Sequence, residues 1–225
     1  MKALILAAGK GSRLNNGNKC LTSVNGKSLI EYSFDNSINA GLDITVVIKG
    51  DLIKRMYPAY KGMPITYIDQ GEQKGVVHAI ECSRMEDDFV LMLGDEILTN
   101  PKHQEMIKRF EQEKLFGMCG VAEVNGLERI KKTYSVMLKY GRISELVEKP
   151  TRIFNNLMGT GNCIFRQGIL SYIKNTPISQ RGEKELTDLI QCAINDGKIF
   201  KPIIICDEYT NVNTYEDITD NVLSY

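Results

Sequence analysis

Over the first half of the chain, short continuous apolar runs alternate with amphipathic stretches. Lys2–Ala7 is apolar almost throughout, as a parallel strand buried on both faces would be. Ala8–Lys19 is rich in Gly, Ser and Asn and reads as a long loop. Ser28-Leu29-Ile30-Glu31 has the form of a capping box. The helix it opens should run to about Ala40, with Gly41 as its C′ residue. Ile44–Lys49 predicts a second strand, Asp51–Tyr57 a short helix stopped by Pro58, and Ile65–Ile68 a third strand. Gly75–Met85 predicts a helix with Val76, Ala79, Ile80 and Ser83 on one face. Phe89–Leu93 is a continuous apolar strand ending in Gly94-Asp95, and Pro101–Lys114 a helix with proline in its first turn.

From Phe116 the pattern changes. Gly117–Val124, Tyr134–Lys139 and Ile143–Val147 read as strands, the last two joined by Tyr140-Gly141-Arg142. Gly161–Phe165 is another strand, Glu183–Asn195 a helix ended by Gly197, Ile199–Cys206 a strand, and Thr214–Leu223 a closing helix. Alternating strand and helix implies right-handed β-α-β units. The expected fold is therefore α/β: a Rossmann-like three-layer sandwich on a mostly parallel mixed sheet, with antiparallel insertions in the second half. With no repeat, linker or charge block, residues 1–225 read as one domain.

Composition narrows the function classes. Hydrophobic residues are 43% and charged residues 25%, which is ordinary globular usage and argues against disorder. Lys+Arg 28 balances Asp+Glu 28, so a chain built to grip a nucleic-acid backbone is disfavoured. No apolar run approaches the ~20 residues that a bilayer needs. Ala3–Ala8 is too short for a secretory core, so the expectation is a cytoplasmic protein without a membrane partner. Cys20, Cys82, Cys119, Cys163, Cys192 and Cys206 form no C-x-x-C pair and are expected as unpaired thiols, with Cys82, Cys119 and Cys163 in apolar surroundings. His78 has no partner motif, His103 is expected at the surface, and Met85, Met92, Met118, Met137 and Met158 in the core. Lys131-Lys132 reads as a solvated pair.

The loop after the first strand carries the chemistry. A buried strand followed by a glycine loop presents backbone N–H groups at the carboxyl edge of a sheet, where phosphates bind. Gly9-Lys10-Gly11-Ser12 does not supply a Walker A loop, and Leu14 stands where a dinucleotide fingerprint needs its third glycine. Leu6-Ala7-Ala8-Gly9-Lys10-Gly11-Ser12-Arg13-Leu14 instead offers small residues for close approach of a triphosphate, with Arg13 and Lys19 as cations. The alternative is a glycine turn with solvated basic residues.

On this string the chain resembles the nucleotidylyltransferases that couple a nucleoside triphosphate to a phosphorylated small molecule. It looks most like the glucose-1-phosphate thymidylyl- and uridylyltransferases, whose loop motif Leu6–Leu14 matches at every fixed position. Lys19 stands where that family has its loop lysine, although the usual preceding proline is Asn18. Val24-Asn25-Gly26-Lys27-Ser28-Leu29-Ile30 is similar to the family continuation, again without its proline. Gln70 and Gly75 have the spacing of the pyrimidine-reading pair, and Gly94-Asp95 ends a strand as the metal aspartate does. Val147-Glu148-Lys149-Pro150, Gly161-Asn162 with Phe165, Gly182–Asp188 and Asn211–Asp217 resemble further family segments in the same order.

The resemblance implies a glycosyltransferase-A-like sheet and a Mg²⁺-dependent transfer. About 1–115 would form the nucleotide-binding half and about 116–225 the acceptor-binding half. Leu6, Ala8, Gly9, Gly11, Ser12, Arg13, Gln70, Gly75 and Gly94 would bind nucleotide. Lys19, Glu148, Lys149, Gly161 and Asn162 would bind acceptor. Asp95 with Asn211 or Asn213 would hold the metal, many relatives having Asp at the second position. Glu96, next along a strand end, should diverge from Asp95. Arg13, Lys19 and Asp95 would be catalytic in one in-line displacement at the α-phosphorus. The attacking phosphate oxygen is already ionised at neutral pH, so positioning and charge stabilisation suffice and no general base is needed.

The expected substrates are a pyrimidine nucleoside triphosphate and a sugar 1-phosphate, giving a nucleotide-activated sugar of the kind that feeds capsule or cell-surface polysaccharide. The chain is shorter than the sugar enzymes it resembles. That keeps a second reading: a cytidylyltransferase acting on a non-sugar phosphate such as phosphocholine or a phosphorylated amino acid. A non-catalytic nucleotide-binding regulator is the third, supported only by Asn211 and Asn213. Leu14 disfavours an NAD-dependent oxidoreductase, and a homo-oligomer stays open.

Overall fold

A computed structural model describes residues 1–9, 18–214 and 216–217. Its strands are β1 (Lys2–Leu6), β2 (Ser23–Val24), β3 (Lys27–Ser28), β4 (Asp43–Ile48), β5 (Ala59–Tyr60), β6 (Met63–Asp69), β7 (Phe89–Leu93), β8 (Glu96–Thr99), β9 (Gly117–Glu123), β10 (Tyr134–Lys139), β11 (Arg142–Glu148), β12 (Leu157–Phe165), β13 (Phe200–Ile204) and β14 (Glu208–Asn211). Its α-helices are α1 (Leu29–Asn39), α2 (Leu52–Met56), α3 (Val76–Ser83), α4 (His103–Gln112) and α5 (Leu186–Asn195).

One mixed sheet organises the molecule, in the order β11-β10-β12-β7-β1-β4-β6-β5, with β9 on β12 and β13 on β9. β1 lies parallel to both β4 and β7, and β4 parallel to β6. β12 runs antiparallel to β7 and β9, and β10 to β11. This is the expected mostly parallel sheet with antiparallel insertions in the second half.

The period of two along β1 builds the three layers. Ala3 and Ile5 join Phe34 of α1 and Met106 and Phe110 of α4 on one face. Leu4 and Leu6 join Val77 and Ile80 of α3 and Leu189 and Ile190 of α5 on the other. Burying one such side chain is worth about 1.5–3 kcal/mol, so these two clusters fix strand register. The capping box at Ser28 and Glu31 is present, and Gly41 takes a φ of +69° just past α1. Tyr140 and Gly141 both have positive φ, the signature of a tight turn between β10 and β11.

Several expectations need correction. α4 starts at His103 with Lys102 as its N-cap, so Pro101 lies outside the helix. α3 buries Val77, Ala79, Ile80 and Ser83, while Val76 turns out towards two cavities. α5 begins at Leu186: Glu185 is its N-cap and lines one cavity, and Glu183 lines another. His103 is buried, at 2% exposure, where a surface residue was expected. Cys82 is half-buried beside polar groups, its Sγ 3.8 Å from the Gln70 carbonyl. The expected helix Thr214–Leu223 falls largely outside the described residues. Among the described residues no helix is long and apolar enough to cross a membrane.

Candidate active site

The carboxyl ends of β1 and β7 lie side by side, and everything of chemical interest hangs from that edge. The Gly94 N–H donates to the Leu6 carbonyl at 2.9 Å, holding the strand ends together. A Cβ at Gly94 would come within 3.1 Å of Cys20 Sγ and 3.3 Å of Ala7 Cβ, so glycine is needed for this approach. The loop residues Lys10, Gly11, Ser12, Arg13 and Leu14 lie outside the described residues.

Asn18 fixes the start of the turn that carries Lys19. Its buried amide donates to the Ala7 carbonyl at 3.1 Å, while its Oδ1 accepts from the Cys20 N–H at 2.9 Å. That caps the single turn Lys19–Leu21. The Lys19 ammonium then reaches Asp95 Oδ2 at 2.5 Å and Asn213 Oδ1 at 2.7 Å. Asn213 Nδ2 in turn donates to Asn211 Oδ1 at 2.8 Å. The strand pair β8–β14 sets Asn211 opposite Glu96, and the Val212 N–H donates to the Asp95 carbonyl at 3.0 Å.

Lys19, Asp95, Asn211 and Asn213 therefore converge, from positions up to 194 residues apart. One carboxylate and two amide carbonyls offer oxygen donors, and the Lys19 ammonium already bridges two of them, on Asp95 and Asn213. A hard divalent ion such as Mg²⁺ suits such donors when substrate phosphates complete its shell. Among the described residues no group of three or more His, Cys, Asp or Glu side chains could hold a metal by itself. The donor set fits Mg²⁺ shared with a nucleotide rather than a cation caged by protein alone.

Past the end of β1 is a cavity of about 350 Å³ lined by Ala8, Gly9, Gln70, Gln73, Gly75, Val76 and Glu183. Gln70 is buried, and its Nε2 donates to the Gly75 carbonyl at 3.1 Å and meets His78 Nδ1 at 3.1 Å. Gly75 has a φ of +88°, and a Cβ there would stand 2.6 Å from Glu183 Oε2. Gln73 donates to the Ala8 carbonyl across the mouth.

β12 creates a fork. One edge of β12 pairs with β9 at 157–159 and again at 163–165. Its other edge pairs with β10 at Met158 and with β7 at 163–165. Between them the β12–β9 register shifts, from Gly159 to Cys163. A cleft of about 160 Å³ opens in the fork, lined among others by Glu96, Thr133, Glu148, Gly161, Arg181 and Glu185. Arg181 donates to Glu185 at 2.6 Å and lies 3.4 Å from Glu148. Burial, and then the Glu185 charge, raise the Glu148 carboxyl to about 7 against the pull of Arg181. Lys149 is exposed, its backbone N–H tied to the Thr133 carbonyl at 2.7 Å.

Glu96 does diverge from Asp95, into the interior at 2% exposure. Its Oε1 accepts from the Gly161 N–H at 2.9 Å and the Tyr209 hydroxyl at 2.5 Å. Its Oε2 accepts from Asn162 Nδ2 at 2.8 Å. Burial, and then the Asp95 charge, raise this carboxyl to about 8, opposed by those donors. Asn162 Oδ1 meets His103 Nε2 at 2.8 Å, so the Asn162 side chain is committed to this buried chain and does not line the cleft. Burial lowers the His103 pKa and favours its neutral form. Glu96, Tyr209, Asn18, Arg181 and Glu185 were missed as site residues. The one signal for Glu96 was its place in Asp95-Glu96-Ile97-Leu98, where strand alternation turns it inward.

The chain belongs to the nucleotidyl transferase family, whose model matches residues 2–218, and it is a nucleotidyltransferase. It is 34% identical over 215 residues to the UTP–glucose-1-phosphate uridylyltransferase AglF of Haloferax volcanii, covering 91% of this chain and 88% of that protein. It is 30% identical over 207 residues to a bifunctional sugar-1-phosphate nucleotidylyltransferase/acetyltransferase of Sulfurisphaera tokodaii, covering 88% of this chain but 49% of that protein. The fold matches a solved UDP-glucose pyrophosphorylase complexed with UDP-glucose, with a TM-score of 0.85 at 20% identity over 100% of this chain and 97% of the other.

Proposed function

We propose that this nucleotidyltransferase couples a pyrimidine nucleoside triphosphate to a sugar 1-phosphate, releasing pyrophosphate and forming a nucleotide-activated sugar. The observation that carries the reading is the convergence of Lys19, Asp95 and Asn213, with Asn211 lining the Glu148 cleft and Val76 lining both that cleft and the Gln70–Gly75 cavity. Sugar-1-phosphate activities in the names of both relatives support the acceptor class.

In this reading the base lies on Gly75 with its edge toward Gln70, and Ala8 and Gly9 carry the phosphates round the end of β1. Gly11, Ser12 and Arg13 hold the β and γ phosphates. Asp95, with Asn213 and Asn211, holds Mg²⁺, which when bound supplies charge neutralisation at the triphosphate. Lys19 leaves its contacts with Asp95 and Asn213 to lie between the α-phosphate and the incoming phosphate. Glu148 takes acceptor hydroxyls, Lys149 swings over the acceptor phosphate, and Gly161 forms the cleft floor. The reaction then needs alignment of an ionised oxygen on phosphorus, with no proton abstracted.

Activity of Lys19→Ala and Asp95→Ala tests the roles, followed by ³¹P NMR of the nucleotide-sugar product. Each is expected to lower kcat/KM by at least about a hundredfold, the usual cost of removing a group that stabilises transferring charge. Near-normal kcat/KM in either variant overturns its assignment.

A further inference from the structure

Glu96 sits where three strands meet, and none of the roles above uses it. It follows Asp95 directly, its partner across β8–β14 is Asn211, and Tyr209 of β14 donates to it. Its third attachment is to β12, inside the register shift that opens the fork. There the strand has no ladder partner for the Gly161 N–H, and the Glu96 carboxylate takes that donor. The neighbouring Asn162 N–H is taken by Thr160 Oγ1 at 3.1 Å. A Cβ at Gly161 would stand 2.8 Å from Glu96 Oε1 and would strike the Leu93 side chain. Gly161 is therefore a glycine because Leu93 and Glu96 fill the space beside it.

We propose that Glu96 is a positioning residue: one buried carboxylate fixes the Asp95–Asn211 side of the centre against the Gly161 floor of the acceptor cleft. The inference rests on the proposed function for its kinetic consequence, but its hydrogen-bond polarity can be read without turnover. With the Glu96 carboxyl ionised, its Oε2 accepts from Asn162, so Asn162 presents its carbonyl to His103, and His103 donates from Nε2. That leaves His103 Nδ1 bare, and it is buried with no partner among the described residues. Glu96→Gln reverses the chain. The new amide nitrogen takes the Oε2 place, Asn162 flips, and its amide donates to His103 Nε2, moving the ring proton to Nδ1. The side-chain oxygen that this variant retains still takes Gly161 and Tyr209.

The first measurement is the imidazole ¹H–¹⁵N long-range spectrum of the whole chain, which has only two histidines, taken above about pH 9, where the Glu96 carboxyl is ionised. Wild type is expected to show His103 as the Nε2–H tautomer and Glu96→Gln as Nδ1–H. The same tautomer in both overturns the network. The second is steady-state kinetics on the pair of substrates that wild type turns over. Glu96→Gln is expected to keep kcat within about threefold. Glu96→Met, similar in size but without acceptors, is expected to lose about thirtyfold or more in kcat with nucleotide KM within twofold. Wild-type kcat in a folded Glu96→Met, or a nucleotide KM that rises with the loss, overturns positioning. If Glu96→Met does not fold, Tyr209→Phe decides: about a fivefold loss of kcat at constant nucleotide KM is expected, and an unchanged kcat overturns it. Wild type silent with every triphosphate and acceptor would sink the proposed function alone, because the tautomer pair still tests Glu96.

Discussion

Replacing Lys19 with methionine removes the ammonium from the Asp95–Asn213 oxygens while keeping most of its volume. The two side chains of the Lys19–Asp95 pair are only 13% and 21% exposed, at a separation of 2.5 Å. At an effective dielectric of about 20 the gross attraction is roughly 6–7 kcal/mol. Desolvation cancels most of it, and a partly buried pair of this kind nets about 1–3 kcal/mol, between exposed and buried cases. A divalent ion entering the nucleotide-free site must displace that ammonium, so the same energy opposes metal binding. Lys19→Met is therefore expected to bind Mn²⁺ about 5- to 100-fold more tightly than wild type without nucleotide, while losing activity. Electron paramagnetic resonance titration of free Mn²⁺ against each protein measures it. Equal or weaker affinity in Lys19→Met would refute the idea that lysine and metal share one set of oxygens.

Four further outcomes follow from the same geometry. Gln70→Ala should raise nucleotide KM about tenfold and leave acceptor KM unchanged, since its amide faces the cavity on the Gly75 side only; initial-rate kinetics in both substrates check it. Gly161→Ala must push against Leu93 and Glu96, an overpacking cost of about 1–3 kcal/mol that should lower Tm by roughly 2–12 °C in a calorimetric scan. Asn18→Ala loses the cap of the Lys19 turn, worth about 1 kcal/mol, and should lower kcat with Tm only slightly reduced. Glu148 carries the pH prediction: its carboxyl is raised from the ordinary 4.5 to about 7 in the folded chain. The folded state holds that proton longer than the unfolded chain, so its stabilising contribution is full below the ordinary range and is lost as pH rises through about 7. Acceptor affinity should run the other way, improving as the carboxylate forms, and Glu148→Gln should flatten both profiles.

The first half of the fold was legible because its main strands are apolar and punctuated by glycine. Lys2–Leu6 and Phe89–Leu93 are buried on both faces, and such runs leave little choice. The short strands β2, β3, β5, β8 and β14 were not legible, because two to four residues carry no period. Their loss mattered, since β8 and β14 hold Glu96, Tyr209 and Asn211 together. Lys19, Asp95, Gln70, Gly75 and Glu148 could be singled out because each stands at a strand end or loop with a motif around it. Asn162 and His103 could not be read correctly. Whether a polar residue faces a cleft or another buried polar group is decided by partners that are 59 to 66 residues away. Asn18 read only as a departure from a pattern, because its two hydrogen bonds, to Ala7 and Cys20, are not legible in the string.

The central claim is the transfer itself, and a pyrophosphate-release matrix tests it most directly. CTP, UTP, dTTP, ATP and GTP are crossed with glucose 1-phosphate, other sugar 1-phosphates, phosphocholine and phosphorylated amino acids, all with Mg²⁺. Fast pyrophosphate release with a pyrimidine triphosphate and a sugar 1-phosphate is the predicted result. Turnover confined to CTP with a non-sugar phosphate, or none at all while nucleotide still binds, would contradict it.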